Sequence, residues 1–221
     1  MTATAQKGYR GMGMEGGVAR WYEKTTRKDM AEFRSLASRL SALLPDGGDV
    51  LEVAPGPGFL SIALAERGKL RVTGLDISKT FVEIARKNAA EAGVRAEFRQ
   101  GNASEMPFAA DSFDLLVCRA AFKNFSAPER ALEEMRRVLR PGGTGVIIDL
   151  RHDVPMSEIK RYVSGLGLSV WSRWFTNFTF RFMLLKRAYT SEQMRKMLDG
   201  IGFSRVEVTV NAIGMEARFE K

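Results

Sequence analysis

Two acids and the glycine-rich loop between them are the residues whose types and spacing could do chemistry here. Val50-Leu51-Glu52-Val53-Ala54-Pro55-Gly56-Pro57-Gly58-Phe59 runs from apolar residues through an acid into small turning ones, and a helical pattern follows. Asp76 closes the next apolar run, 24 positions after Glu52. A strand, a tight turn and a helix start, in that order, belong at the ligand edge of an open α/β sheet. Gly56 and Gly58 have no Cβ, so backbone can approach a ligand closely. An acid ending the second strand can accept hydrogen bonds from both hydroxyls of a ribose. Together these residues predict a nucleoside-bearing cofactor.

Two single residues offer further chemistry. His152, the only histidine, stands in Arg151-His152-Asp153 just beyond the fifth predicted strand. That is the ligand edge, where an imidazole is either a general base or a surface loop residue. Cys118 is the only cysteine, which excludes an internal disulfide and a cysteine-rich metal cluster. It lacks a Pro-Cys or Thr-Cys context and reads as a small buried side chain. No cluster of ligating residues has metal spacing, so no metal is expected.

Positioning these groups requires alternating strands and helices. Residues 1–20 are glycine-rich without periodicity and are expected to form a mobile arm. From Trp21 to Leu44, Phe33, Leu36, Ala37, Leu40 and Leu44 share a helical face, and Pro45-Asp46-Gly47-Gly48 ends it. Asp49–Val53 reads as the first strand, Phe59–Arg67 as its helix and Arg71–Leu75 as the second strand. Ser78 is placed to cap a helix running through Ala92, which Gly93 stops. Ala96–Arg99 and Phe113–Val117 read as the third and fourth strands. Ser126 and Glu129 have capping-box spacing for a helix to Leu139. Pro141-Gly142-Gly143 ends that helix, and Gly145–Leu150 is the fifth strand.

The chain then changes character. Thr190 and Gln193 have capping-box spacing, and Gly200-Ile201-Gly202 gives a turn. Arg205–Val210 and Gly214–Phe219 are joined by too few residues for a crossover, so they pair antiparallel. The predicted fold is α/β: a doubly wound, Rossmann-like, mostly parallel seven-stranded sheet with a C-terminal antiparallel strand, plus a helical cover. The cover is the stretch 154–189, where Trp171, Trp174, Phe175, Phe178, Phe182 and Leu185 form a helical stripe. Such a stripe packs on the domain, covers a substrate pocket, or lies on a membrane surface. Arg173 and Arg181 argue against a transmembrane span.

Bulk properties bound the function classes. The 221 residues are 45% hydrophobic and 27% charged, which suits one soluble α/β domain with an appended cover. The single cysteine fits a reducing cytoplasm, and the N-terminus shows no apolar run of signal-peptide length. Net charge is +8, which could serve nucleic acid, an anionic membrane or an acidic substrate. The densest basic groups, Lys24 to Lys28 and Arg136 to Arg140, sit beside acids in helical patterns and read as solvated faces.

The loop, Glu52, Asp76, the stretch Gly101–Phe108, the exit of the fourth strand and Arg136-Arg137-Val138-Leu139-Arg140-Pro141-Gly142-Gly143 occur in a familiar order. Together they resemble the class I S-adenosylmethionine-dependent methyltransferases, in particular the small-molecule branch with the ubiquinone and menaquinone biosynthesis methyltransferases. The resemblance covers Asp49 to Leu150 well and the C-terminal strand pair in outline. It implies S-adenosyl-L-methionine as cofactor, S-adenosyl-L-homocysteine as product, and a small apolar or aromatic methyl acceptor.

By that resemblance Glu52 helps hold the methionine part, and Ala54, Gly56 and Gly58 form the loop, with Ala54 replacing a usual glycine. Asp76 takes the ribose and Ile77 packs on the adenine. Asn102 stands where the family has an acid facing the adenine amino group, beside the Ala103 amide, and Met106 lies against the ring. Arg119 and Ala120 line the sulfonium end, and Tyr22 belongs to the segment that closes over the cofactor. Phe122, Phe125, Trp174 and Phe178 are the candidate acceptor wall, with His152 as candidate base.

The implied organisation is a closing arm and helix (1–45), a cofactor-binding core (46–153), an aromatic cover (154–189) and a C-terminal helix with the antiparallel pair (190–221). Three alternatives stand beside it: an NAD(P)-dependent oxidoreductase, a nucleic-acid methyltransferase, and a non-catalytic S-adenosylmethionine-binding protein. The first requires a third loop glycine where this chain has Ser61. An adenine-N6 enzyme would carry Asn/Asp-Pro-Pro-aromatic where Cys118-Arg119-Ala120-Ala121-Phe122 stands.

Overall fold

A computed structural model describes residues 8–10, 13–165 and 185–221. In chain order the helices are α1 (Gly16–Thr26), α2 (Met30–Ser41), α3 (Phe59–Ala65), α4 (Lys79–Glu91), α5 (Pro128–Val138), α6 (Met156–Gly165) and α7 (Ser191–Ile201). The strands are β1 (Gly48–Val53), β2 (Leu70–Asp76), β3 (Ala96–Gln100), β4 (Phe113–Arg119), β5 (Leu139–Leu150), β6 (Arg205–Val210) and β7 (Gly214–Glu220). They form one sheet in the order β3-β2-β1-β4-β5-β7-β6. Neighbours from β3 to β5 pair in parallel, and β7 runs antiparallel to both β5 and β6. The predicted mostly parallel sheet with an antiparallel C-terminal strand is therefore the observed one.

Burial on both faces explains the unbroken apolar runs of β1 and β4. Leu51, Leu116 and Cys118 pack with Leu132 and Met135 of α5 and Met194 and Leu198 of α7. Val50, Leu115 and Val117 face Phe33 and Leu40 of α2 and Leu60 and Leu64 of α3. The order reverses at β1, whose neighbours are β2 on one side and β4 on the other. Such a switch point opens a crevice beyond the carboxyl ends of the strands. Glu52, Asp76 and Arg119 all lie at those ends.

Several boundaries differ from the sequence reading. Helix α1 begins at Gly16, inside the stretch expected to be an arm, while residues 1–7 and 11–12 lie outside the described residues. No Ser126 capping box forms. Pro128 opens α5 in its first turn, where its fixed φ suits a helix start, and Ala127 precedes it without a side-chain cap. Pro141-Gly142-Gly143 fall inside an irregular start of β5 and bond to the C-terminal residue, with Gly142 N–H donating to Lys221 O (2.9 Å). The Thr190 capping box with Gln193 is present, but Gly200 and Ile201 stay helical and Gly202 alone ends α7 in a left-handed conformation. Of the aromatic stretch, 166–184 lies outside the described residues, including Trp171, Trp174, Phe175, Phe178 and Phe182.

Candidate cofactor site

Glu52 and Asp76 are charged-type side chains in a buried setting, 3% and 5% exposed. The Ser61 hydroxyl of α3 donates to Glu52 Oε2 at 2.5 Å. The Gly56 and Ser78 backbone N–H groups donate to the two Asp76 oxygens at 3.0 and 2.9 Å. Burial pushes the Glu52 carboxyl up to about 7, against the pull of the Ser61 hydrogen bond and the nearby Arg119 charge. Burial also pushes Asp76 up to about 6, partly offset by the Ser78 and Gly56 N–H groups. Both acids thus sit where water has been removed without a cation in contact, a condition typical of functional positions.

The loop between them uses its glycines differently. Gly56 is left-handed at φ +55°, and a Cβ there would meet only the Tyr22 and Phe81 rings, 3.9 and 4.0 Å away. Gly58 is left-handed at φ +81°, but its Cβ would lie 2.9 Å from Ala85 and 3.0 Å from Phe98. Gly58 therefore lets the loop pack on α4 and β3, whereas the space at Gly56 is bounded only by rings. Ala54 is also left-handed, at φ +58°. Alanine in that region costs about 1–2 kcal/mol, partly offset by the unfolded-chain entropy that glycine would add. Ala54→Gly is thus expected to raise unfolding stability by up to about 1 kcal/mol. Urea denaturation measures this, and a loss of stability would show that the alanine methyl packs productively.

Above the loop lies a roof from α1 and the preceding segment. Tyr22 meets Phe81 edge-to-face at 5.9 Å, and burial raises its phenol above the usual range. Gly8 lies so close to the floor that a Cβ would overlap Ile77 and come within 3.0 Å of Asn102 Nδ2. The segment is tied on both sides of the crevice. Arg10 N–H donates to Asn124 O (2.6 Å), and Ser78 Oγ donates to Met14 O (2.8 Å). The Glu15 carboxylate accepts from the Lys79 and Thr80 N–H groups (both 3.1 Å) at the start of α4. Periodicity could not reveal this strap, because its bonds run mostly through backbone and span 64 positions at Glu15–Lys79.

Asn102 closes its turn through the side-chain oxygen, which accepts from Ser104 N–H at 3.0 Å, while its NH2 lies toward Gly8. Ile77 and Ala103 are half-buried beside it. Met106, expected against an adenine, is instead buried in the core with Leu75 and Phe113.

On the β4 side the Arg119 guanidinium is committed to α2, bonding Glu32 at 2.6 Å and lying 4.6 Å from the Phe33 ring centroid. Ala120 is left-handed at φ +59°. Its carbonyl accepts from Lys123 Nζ (2.6 Å), which also bonds Asp149 Oδ1 (2.7 Å) in a buried ion pair. Phe122 and Phe125 are buried 5.4 Å apart, so they support a wall from behind. The half-buried ring beside them is Tyr189, 5.7 Å from Phe122, which the sequence reading missed because it stands alone between the aromatic stretch and α7. His152 is exposed and its Nδ1 lies 2.7 Å from Leu185 O. A carbonyl only accepts, so Nδ1 carries the proton and Nε2 keeps its lone pair in the neutral ring. Trp174 and Phe178 lie outside the described residues.

The stretch that carries this edge is similar to known proteins. Residues 50–143 match the methyltransferase domain family model. That stretch makes the core of the chain similar to the class I S-adenosylmethionine-dependent methyltransferases. The demethylmenaquinone methyltransferase of Bacillus velezensis is 40% identical over 107 residues, covering 47% of this chain and 46% of that protein. The ubiquinone/menaquinone biosynthesis C-methyltransferase of Rhizobium meliloti is 27% identical over 192 residues, covering 80% of this chain and 74% of that protein. A solved S-adenosyl-L-methionine-dependent methyltransferase fold from Methanococcus maripaludis superposes with a TM-score of 0.77 at 24% identity, covering 96% and 95% of the two chains. That likeness concerns the fold. The chain spans about half the length of the demethylmenaquinone methyltransferases it matches at more than 30% identity. The methyltransferase-domain match contains Glu52, Asp76, Asn102 and Arg119 but stops before His152 and the aromatic stretch.

Proposed function

We propose that the chain transfers a methyl group from S-adenosyl-L-methionine to a small, apolar or aromatic acceptor. The pair of buried acids at the switch point carries this reading. Asp76 offers a carboxylate to a ribose diol, and Glu52 offers one to the methionine ammonium. The space at Gly56, bounded by Tyr22 and Phe81, suits the close approach of a ligand to backbone. Ile77, Asn102 and Ala103 form the adenine side, with the Gly8 strap over them.

When bound, S-adenosyl-L-methionine supplies a methyl group already activated by its sulfonium. What the chain must add is orientation in a dry site, which can supply roughly 7–11 kcal/mol. The Lys123–Asp149 pair fixes the Ala120 carbonyl and so the β4 exit beside the reacting end. His152 presents Nε2 as the base for an acceptor that must lose a proton. Ser61 weighs against a dinucleotide: its hydroxyl is fully buried and spent on Glu52, where a pyrophosphate loop keeps a third glycine.

The quinone names of the relatives belong to those proteins. For this chain they make quinols and other phenols the first acceptors to try. The test is S-adenosylhomocysteine release over a panel of phenols, quinols, thiols and amines. Turnover on one class is expected, and cofactor binding without turnover on any would favour the non-catalytic alternative. On the acceptor found, His152→Ala should lower turnover about 100-fold with S-adenosylhomocysteine affinity unchanged. Full turnover would remove the base role.

A further inference from the structure

The outer face of α1 is unused by the cofactor site. Ala19 is buried, and Tyr22 turns toward Gly56 and Phe81, so the opposite face is left to solvent. That face carries Gly17, Arg20, Trp21 and Lys24, all exposed, and Lys28 continues it past the helix end. The spacing i, i+3, i+4, i+7 puts these residues on one stripe. Trp21 is 65% exposed, one of two exposed large hydrophobics among the described residues. The neighbouring acid Glu23 is taken by Arg27 at 2.5 Å. Arg20, Lys24 and Lys28 are left without an ion-pair partner among the described residues. We infer that this stripe docks the protein on an anionic lipid surface, with Trp21 at the interface and the three cations on the headgroups.

The chemistry of the stripe selects lipid over other polyanions. An indole has an apolar body and one N–H donor, and it concentrates at the boundary between headgroups and acyl chains. Cations flanking such a ring add attraction to anionic headgroups to the shallow insertion of the indole. A single-stranded nucleic acid is held by successive stacking rings along a groove, and this face offers one ring; a duplex is held through its phosphates by cations alone and has no use for an exposed indole among them. Gly17, beside which a Cβ would meet nothing within 4 Å, keeps the surface flat next to the indole. Each cation near an anionic surface contributes about fivefold in partitioning. The inference stands apart from methyl transfer, because lipid binding is read without turnover.

The test is flotation of the full chain with vesicles of phosphatidylcholine alone or mixed with phosphatidylglycerol. Binding is expected only to the mixed vesicles, with loss in high salt. The triple variant Arg20→Gln, Lys24→Gln, Lys28→Gln should bind those vesicles about 100-fold more weakly, and Trp21→Ser should also weaken binding. Wild-type affinity for S-adenosylhomocysteine in both variants keeps misfolding separate from loss of the surface. Absence of wild-type binding to mixed vesicles would overturn the inference, as would equal binding by the triple variant. Stripe-dependent binding to duplex DNA with none to vesicles would overturn it in favour of nucleic acid.

Discussion

Asp76→Ala weakens S-adenosylhomocysteine binding by roughly 10²–10⁴-fold in titration calorimetry, with the folded state retained. The magnitude comes from two hydrogen bonds between a carboxylate and ribose hydroxyls, each contributing about 1.5–3 kcal/mol. The carboxylate is already oriented, because Gly56 and Ser78 N–H groups hold its two oxygens. Little ordering therefore remains to be done on binding. Asp76→Asn separates shape from charge. Its single oxygen cannot serve both hydroxyls and both amides, so it should fall between wild type and alanine. Unchanged affinity in Asp76→Ala would refute the ribose role.

Glu52 gives the second large effect, and it appears as pH dependence. In the empty protein its carboxyl titrates at about 7 against an ordinary value of 4.5. The folded state thus holds a proton that the unfolded chain releases. Stability of the empty fold falls as pH rises from 4.5 through 7, by about 3 kcal/mol in total. A ligand ammonium reverses the preference and favours the carboxylate. Affinity for S-adenosylhomocysteine should then rise with pH, by up to roughly tenfold per unit, and level off above 7. Glu52→Gln should remove that rise between pH 6 and 7, leaving a slope below about 6 from Asp76. It should also stabilise the empty protein by about 3 kcal/mol at pH 8 while weakening the ligand. A wild-type slope retained in Glu52→Gln would place the titrating group elsewhere.

Both effects rest on residues legible in the sequence, for a physical reason. Glu52 and Asp76 end apolar runs at the carboxyl edge of buried parallel strands, where a carboxylate without a cation beside it is costly, so type and position together marked them. The strand order followed from alternation and from the short connection between β6 and β7. Legibility failed where bonds bypass side-chain pattern. The Gly8–Arg10 strap binds through backbone, and Glu15 caps a helix far along the chain. Ser126 had the right spacing for a cap, but Pro128 set the helix start instead. Phe122 and Phe125 have the chemistry of a pocket wall, yet the β4 exit turns them inward and leaves Tyr189 beside the opening. Position alone points Arg119 toward the cofactor, but its length carries the guanidinium across to Glu32. Side-chain reach and burial at a loop are tertiary facts that spacing does not encode.

The most direct test of the cofactor assignment is calorimetric titration of the wild-type chain with S-adenosylhomocysteine and with NAD, near pH 6.5, in two buffers of different ionisation enthalpy. The predicted result is tighter binding of S-adenosylhomocysteine, with a heat that shifts between buffers because Glu52 releases its proton. Binding of NAD without binding of S-adenosylhomocysteine would contradict it.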